Sequence, residues 1–220
     1  MIQIKKLNKI YNINKINEVV AINDIDLQIN DGEYVSIMGP SGAGKTTLVN
    51  MMCGLENPTS GEIIIDNQNI TKFTNSQKAK FRNDNIGIIM QNFSLINDFT
   101  VYENVELPLL LKKVKKDDRL NIIKKLLIEL DIFKYANTTV KNLSGGEMQR
   151  VAIARGLINC PNYIIADEPT GSLDSEKSDE IIKIFDDLNK QGKTIILITH
   201  NLEIAKHAGK IINIKDGKIL

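Results

Sequence analysis

Apolar residues follow two kinds of pattern along this chain, and the change between them divides it. In the first thirty residues they alternate with polar ones, at Ile2, Ile4 and Leu7 and again at Ile25, Leu27 and Ile29. That is the period of strands with one wet face, so an antiparallel pair is expected, followed by a turn at Asp31-Gly32. Short apolar runs without alternation come next: YVSIM at 34–38, then Glu62–Asp66, Ile86–Met90, Tyr163–Asp167, Thr194–Thr199 and Lys210–Ile214. Several of them predict strands buried on both faces of a central sheet. Between Met90 and Tyr163 the period turns helical, as in RLNIIKKLLIELDIF, and no strand is expected. The 220 residues therefore read as one α/β domain. Residues 1–91 and 161–220 would form the core with its antiparallel β subdomain, and 92–160 an inserted helical subdomain with loops at its edges near Gln91 and Pro161.

The YVSIM run leads directly into GPSGAGKTT, Gly39 to Thr47, and then into the apolar helical segment TTLVNMMCGL. Gly39, Gly44, Lys45 and Thr46 satisfy G-x-x-x-x-G-K-[ST] between a strand and a helix. Glycines there let backbone N–H groups wrap a β-phosphate, the lysine neutralises β- and γ-oxygens, and the threonine hydroxyl ligates Mg²⁺. Farther on, NYIIADEPTGSLD ends a strand in two acids, Asp167 and Glu168. Asp167 fits the shell of a magnesium ion and Glu168 a general base for an attacking water. Taken alone, two surface acids at a strand end is the better reading of this pair.

The stretch NLSGGEMQR, 142–150, starts a helix with two glycines. Ser144 and Glu147 have the spacing of a capping box, each side chain serving a free backbone N–H of the first turn. Gly145 and Gly146 are left unexplained, since each costs about 1 kcal/mol relative to alanine in a helix. A helix N-terminus stripped of side chains offers N–H groups and a partial positive charge to an anion.

Composition narrows the function. A net charge of +1 gives no electrostatic case for nucleic acid. Two cysteines, Cys53 and Cys160, support neither a disulfide framework nor a metal site and fit a reducing compartment. No stretch approaches the roughly 18 apolar residues of a membrane span, and MIQIKKLNKI lacks the apolar core of a signal peptide. An intracellular chain that does not itself cross a membrane is expected. The basic run LKKVKKDD reads as a solvated helix or turn.

Together, GPSGAGKTT, Gln91 at the end of IGIIMQ, NLSGGEMQRVAIAR, IIADEPTGSLD and LITHN resemble the ATP-binding subunits of ABC transporters, in order and approximate spacing, over essentially the whole chain. The resemblance implies a P-loop NTPase cassette with a mostly parallel central sheet, an N-terminal antiparallel β subdomain and an inserted helical subdomain. It implies ATP hydrolysis, with ATP and Mg²⁺ as cofactors. ATP would be bound by Gly39, Pro40, Ser41, Gly42, Ala43, Gly44, Lys45, Thr46 and Thr47. Tyr11 matches the aromatic that stacks on adenine, simple packing being the other reading of a lone tyrosine there. Gln91 matches the glutamine that contacts magnesium or the attacking water, Asp167 the second acid motif and Glu168 its catalytic glutamate. Asp174 matches an aspartate that communicates across a dimer, and His200 a histidine that touches the γ-phosphate; His207 matches nothing.

In that family two cassettes pair head to tail, so Ser144, Gly145, Gly146 and Glu147 would serve a nucleotide held by the partner chain of a homodimer. The membrane partner would be a separate permease, placing the chain at the cytoplasmic face of the cell membrane, with its contact surface around Gln91 to Glu103. IGIIMQNFSLINDFTVYENVELPLLL resembles the lipoprotein-release, macrolide and antimicrobial-peptide export group and its cell-division relatives. Import ATPases share much of this pattern, and the end at DGKIL leads us to expect no regulatory domain of the kind some of them carry. A single cassette without a basic stripe argues against a translation or DNA-repair ATPase, and intact Glu168 and His200 against a non-hydrolysing structural partner. Met148 and Gly156 depart from the commoner family residues without removing a phosphate or magnesium contact.

Overall fold

The computed structural model describes residues 1–171 and 173–220. The first strands are β1 (Ile2–Tyr11), β2 (Val19–Ile29) and β3 (Tyr34–Met38), followed by helix α1 (Lys45–Met52) and strands β4 (Ser60–Ile65) and β5 (Gln68–Asn69). Next come α2 (Asn75–Asn85), β6 (Ile86–Ile89), and the helices α3 (Val101–Leu111), α4 (Lys116–Glu129) and α5 (Gly145–Leu157). The chain closes with β7 (Tyr163–Asp167), α6 (Ser175–Lys190), β8 (Thr194–Ile198), α7 (Leu202–Ala205), β9 (Lys210–Lys215) and β10 (Lys218–Ile219).

Two sheets form. One is antiparallel with order β2-β1-β4-β5, and the other has order β10-β9-β3-β8-β7-β6, parallel except at β10. The unalternating runs of β3, β7 and β8 have a direct cause, because successive side chains enter different cores. Tyr163 and Ile165 join the cluster that contains α1 and the antiparallel sheet, whereas Ile164 and Ala166 join the cluster that contains α3, α4, α5 and α6. Both faces are dry, so both are apolar.

Two strands depart from the expectation of a central, doubly buried position. The Glu62–Asp66 run becomes β4 and pairs with β1 in the antiparallel sheet, with Ile63 and Ile65 buried and Ile64 only partly covered. Three consecutive isoleucines hide that alternation. In β9 only Ile212 and Ile214 are buried, while Ile211 and Asn213 face outward, as suits a strand close to the sheet edge.

The parallel strands all deliver their carboxyl ends to one rim. Ile37 pairs with Ile198, which also pairs with Asp167, and Ile89 pairs with Ala166. The segments that leave these strands therefore meet, at the place where open α/β sheets bind ligands. Helix α5 packs on β6 with unusual closeness. A Cβ on Gly87 would lie 2.7 Å from the Gly156 carbonyl oxygen and 3.0 Å from Pro161 Cγ. Gly156 thus lies where the helix backbone meets the strand. Gly87→Ala is expected to destabilise the fold by about 1–3 kcal/mol through overpacking, read as a fall in the thermal midpoint; an unchanged midpoint would show that this contact relaxes freely.

Candidate active site

β3 ends at Met38 and the chain turns through Gly39–Gly44 into α1. Gly44 is the N-cap, at φ 99 and with no side-chain cap, so the first amides of α1 keep their N–H groups free of side-chain acceptors. A Cβ at Gly44 would overlap the Ala21 carbonyl oxygen, and one at Gly39 the Ile214 carbonyl oxygen. Close backbone approach therefore demands both glycines. At Gly42 the space is open, and here the loop faces a groove of about 650 Å³.

The groove gathers residues from distant parts of the chain. Its walls comprise the whole loop 39–47, Gln91 after β6, Asp167 and Glu168 at the end of β7, and His200 after β8. Lys45 Nζ donates to the carbonyls of Gly39 (2.7 Å) and Pro40 (2.9 Å), holding its charge over the loop. Thr46 Oγ1 donates to Asp167 Oδ2 at 3.3 Å. Burial pushes the Asp167 carboxyl above its ordinary range and the neighbouring Glu168 charge adds to this, while the Thr46 hydrogen bond and the Lys45 charge oppose it.

The adjacent acids diverge. Glu168 sits at φ +47, an unusual conformation for a residue with a side chain, and its N–H donates to the Ile198 carbonyl at 2.9 Å. This turn sends its carboxylate to His200 Nδ1, 2.8 Å away. The Glu168 side chain is 12% exposed and that of His200 71%, so a sheltered carboxylate meets an accessible imidazole. Two acids at a strand end are thus given separate partners.

The donor set fits a magnesium nucleotide. Among the described residues no three His, Cys, Asp or Glu side chains cluster as a metal cage. Mg²⁺ does not need one, since it takes one or two protein oxygens and completes its shell with phosphates and water. The Thr46 hydroxyl and Asp167 carboxylate provide such oxygens beside the cradle, with Gln91 on the same wall.

Other expected residues lie elsewhere. Tyr11 is not in the groove wall; its hydroxyl donates to Glu56 Oε2 at 2.8 Å and stands 3.4 Å from Thr47 Oγ1, and Lys9 Nζ covers its ring at 4.9 Å from the centroid. Val19 and Val20, exposed on β2, do line the groove; two adjacent valines at the wet start of a strand were the available signal. His207 pairs with Asp186 at 3.0 Å, away from the loop.

Ser144, Gly146 and Glu147 line a second, smaller cleft of about 200 Å³ with Arg150 and Lys177. The capping box forms: Ser144 N–H donates to Glu147 Oε2 at 2.8 Å and Glu147 N–H to Ser144 Oγ at 3.4 Å. A hydrogen bond from Tyr135 and those from Ser144 hold the Glu147 carboxyl below its ordinary range. Asp174 caps α6 by accepting from Lys177 N–H (3.0 Å) and pairs with Lys177 Nζ at 2.6 Å. The Lys177 stem crosses Gly146, whose added Cβ would lie 2.9 Å from Lys177 Cδ. No residue of 144–147 reaches the wall of the larger groove.

The sequence profile of the ABC transporter family matches residues 22–171. YvrO of Bacillus subtilis, an uncharacterized ABC transporter ATP-binding protein, is 41% identical over the whole chain and 96% of its own length. The macrolide export ATP-binding/permease protein MacB of Campylobacter jejuni is 42% identical over 93% of the chain, which spans only 32% of that protein. Among solved structures, the ATP-binding cassette MJ0796 of Methanocaldococcus jannaschii, a dimer in a post-hydrolysis state bound to ADP and Pi, matches with a TM-score of 0.93 at 39% identity, covering 100% of this chain and 96% of that one. With the phosphate cradle, the two acids and the histidine assembled on such a fold, the chain belongs to the ABC transporter family and is one of its ATP-hydrolysing domains.

Proposed function

We propose that the chain is the motor subunit of a membrane transport complex, in which two copies pair head to tail around two Mg·ATP. The observation that carries this reading is the separation of the two clefts. The phosphate loop, Gln91, Asp167, Glu168 and His200 share one groove, while Ser144, Gly146 and Glu147 line a separate cleft whose wall contains none of those residues. A nucleotide in the groove can meet the free helix N-terminus of 144–147 only if a second copy supplies it, and two-fold pairing makes two equivalent composite sites. The dimeric MJ0796 structures support this arrangement.

In each site the loop amides and Lys45 bind the phosphates, and Thr46, Asp167 and Gln91 hold the metal. Mg²⁺ held there would supply charge neutralisation to the phosphates. Glu168 takes a proton from the attacking water and His200, fixed by its hydrogen bond to Glu168, addresses the γ-phosphate. Val19 and Val20 offer an apolar wall to the base, with Tyr11 beside it. ATP adds contacts to both copies and hydrolysis removes them, so the pair closes and opens.

Residues 92–160 act as a helical subdomain against a core of 1–91 and 161–220, and the surface from Gln91 to Glu103 receives a permease. No helix among the described residues is long and apolar enough to cross a membrane. Membership of the ABC transporter family supports a place at the cytoplasmic face of the membrane, reached through that separate partner. Similarity to MacB favours the macrolide, antimicrobial-peptide or lipoprotein-release branch, with export or mechanical transmission as the output.

These roles can be tested by substitution. Glu168→Gln is expected to lower phosphate release by about 10²- to 10⁴-fold while retaining the ATP-bound dimer; unchanged release would remove Glu168 as the base. Captured from native membranes with ATP, this variant should bring a permease with few spans and a large extracytoplasmic domain, whereas a permease with a solute-binding protein would indicate import. Ser144→Arg should leave nucleotide binding by the monomer intact and prevent ATP-driven pairing. Equal loss of binding in the monomer would mean that the segment acts within its own chain.

The buried position of Asp167 also affects the fold. Its carboxyl is raised above the ordinary 3.8 chiefly by burial, so the folded chain holds this proton more tightly than the unfolded one. Stability from this group is full below 3.8 and is lost as pH rises through the folded value. Asp167→Asn is expected to raise the thermal midpoint of the nucleotide-free protein at pH 7, with the gain vanishing in acid.

A further inference from the structure

Arg155, in the last turn of α5, is a half-buried cation answered by no acid. Its Nη1 donates to the Ser94 carbonyl at 2.7 Å and its Nη2 to the Phe93 carbonyl at 2.9 Å. Among the described residues it forms no ion pair. The carbonyls it grips belong to a strained turn. Phe93 and Ser94 lie at φ 59 and 50, consecutive left-handed positions without a glycine. The turn is tight, with Phe93 N–H donating to the Met90 carbonyl at 2.9 Å and Ser94 N–H to the Asn92 carbonyl at 2.6 Å. Gln91 lies inside it and lines the groove.

The other end of the contact is firm. Gly156 presses α5 onto β6 at Gly87, and Asn159 Nδ2 donates to the Asn83 carbonyl at 2.8 Å. A planar guanidinium presents paired donors that span two neighbouring oxygens, which a single ammonium cannot match.

We propose that Arg155 is a positioning residue for Gln91: its grip on two successive carbonyls of the strained turn sets where Gln91 projects into the groove. This deepens the function proposed above and rests on it. Since α5 carries 144–147 at its other end, about 15 Å away by helix rise, Arg155 also ties the position of Gln91 in one site to the segment that meets the nucleotide of the other copy.

The test uses full-length Arg155→Ala, Arg155→Lys, Gln91→Ala and the double variant Gln91→Ala/Arg155→Ala. Phosphate release with Mg·ATP, nucleotide binding and amide exchange are measured for each. Arg155→Ala is expected to lower kcat by about 10- to 100-fold, as a displaced catalytic group does, with KM little changed. Arg155→Lys should fall between it and the wild type. Amides 91–95 should lose exchange protection while those of the loop 39–47 keep theirs. In the Gln91→Ala background, loss of Arg155 should cost less than about twofold more, the non-additivity of residues that act as a unit.

An undiminished effect in that background, or a fall in kcat with unchanged exchange at 91–95, would overturn the proposal. Should Arg155→Ala not fold, Arg155→Lys and Gln91→Ala/Arg155→Lys carry the same cycle, since lysine keeps the stem and the charge. Failure of the wild type to release phosphate would instead refute the assigned chemistry, and the exchange data would still report on the turn.

Discussion

The site depends on the wedging of one loop between two sheets. Gly39 packs against the Ile214 carbonyl of β9 and Gly44 against the Ala21 carbonyl of β2. The Ala43 carbonyl accepts from Gly217 N–H at 3.1 Å, and the Gly217 carbonyl accepts from Asn23 N–H at 2.9 Å. The loop backbone therefore has contacts on both sides and little freedom to collapse into its own helix. Its amides stay directed at the groove, and the free end of α1 stays available to an anion. Side chains at Gly39 or Gly44 would force the sheets apart, so nucleotide geometry and sheet packing share one constraint.

That constraint explains why the rest of the site comes from strand ends. A parallel sheet with both faces buried leaves only its rims for chemistry, and the loop occupies one rim. Strands β6, β7 and β8 each contribute side chains at or just beyond their carboxyl ends: Gln91, the Asp167–Glu168 pair and His200. The left-handed turn at Glu168 keeps two adjacent carboxylates from competing for one position. Asp167 turns to Thr46 and Glu168 to His200, which keeps the acid proposed to hold the metal apart from the acid proposed to accept the proton.

Much of this was readable from the sequence because strand and loop signals are local. YVSIM and Tyr163–Asp167 coincide with β3 and β7 to the residue, and the strand-loop-helix around Lys45 has the expected order. The sheet to which β4 belongs was not readable, since three isoleucines in succession carry no period and partner choice is a tertiary matter. Helices α2 and α6 were not anticipated, although Ile181, Ile182 and Phe185 mark a buried face on α6. The loop 39–47, Gln91, Asp167, Glu168 and His200 line one groove, while the contacts of Arg155, Lys177 and the two groove valines join distant segments that no local signal connects. Tyr11 lies outside the groove wall, paired in the sheet with Val19, which lines it. The SLD motif includes Ser172, which lies outside the described residues.

Gly146 now has two physical reasons to lack a side chain. In sequence terms a glycine there leaves a helix N-terminus open to an anion, whereas in the fold it also makes room for the Lys177 stem. The two accounts reinforce each other. Lys177 brings a positive charge beside the positive end of the α5 dipole, an arrangement that is unfavourable unless negative charge is near. Asp174 supplies some, but its oxygens are engaged by the Lys177 amide and ammonium, and Glu147 is engaged by the capping box. A phosphate entering this cleft from outside the chain would meet free N–H groups and a lysine already in place. The amides and Lys177 of this cleft are what the proposed pairing of two copies would offer to the partner's nucleotide.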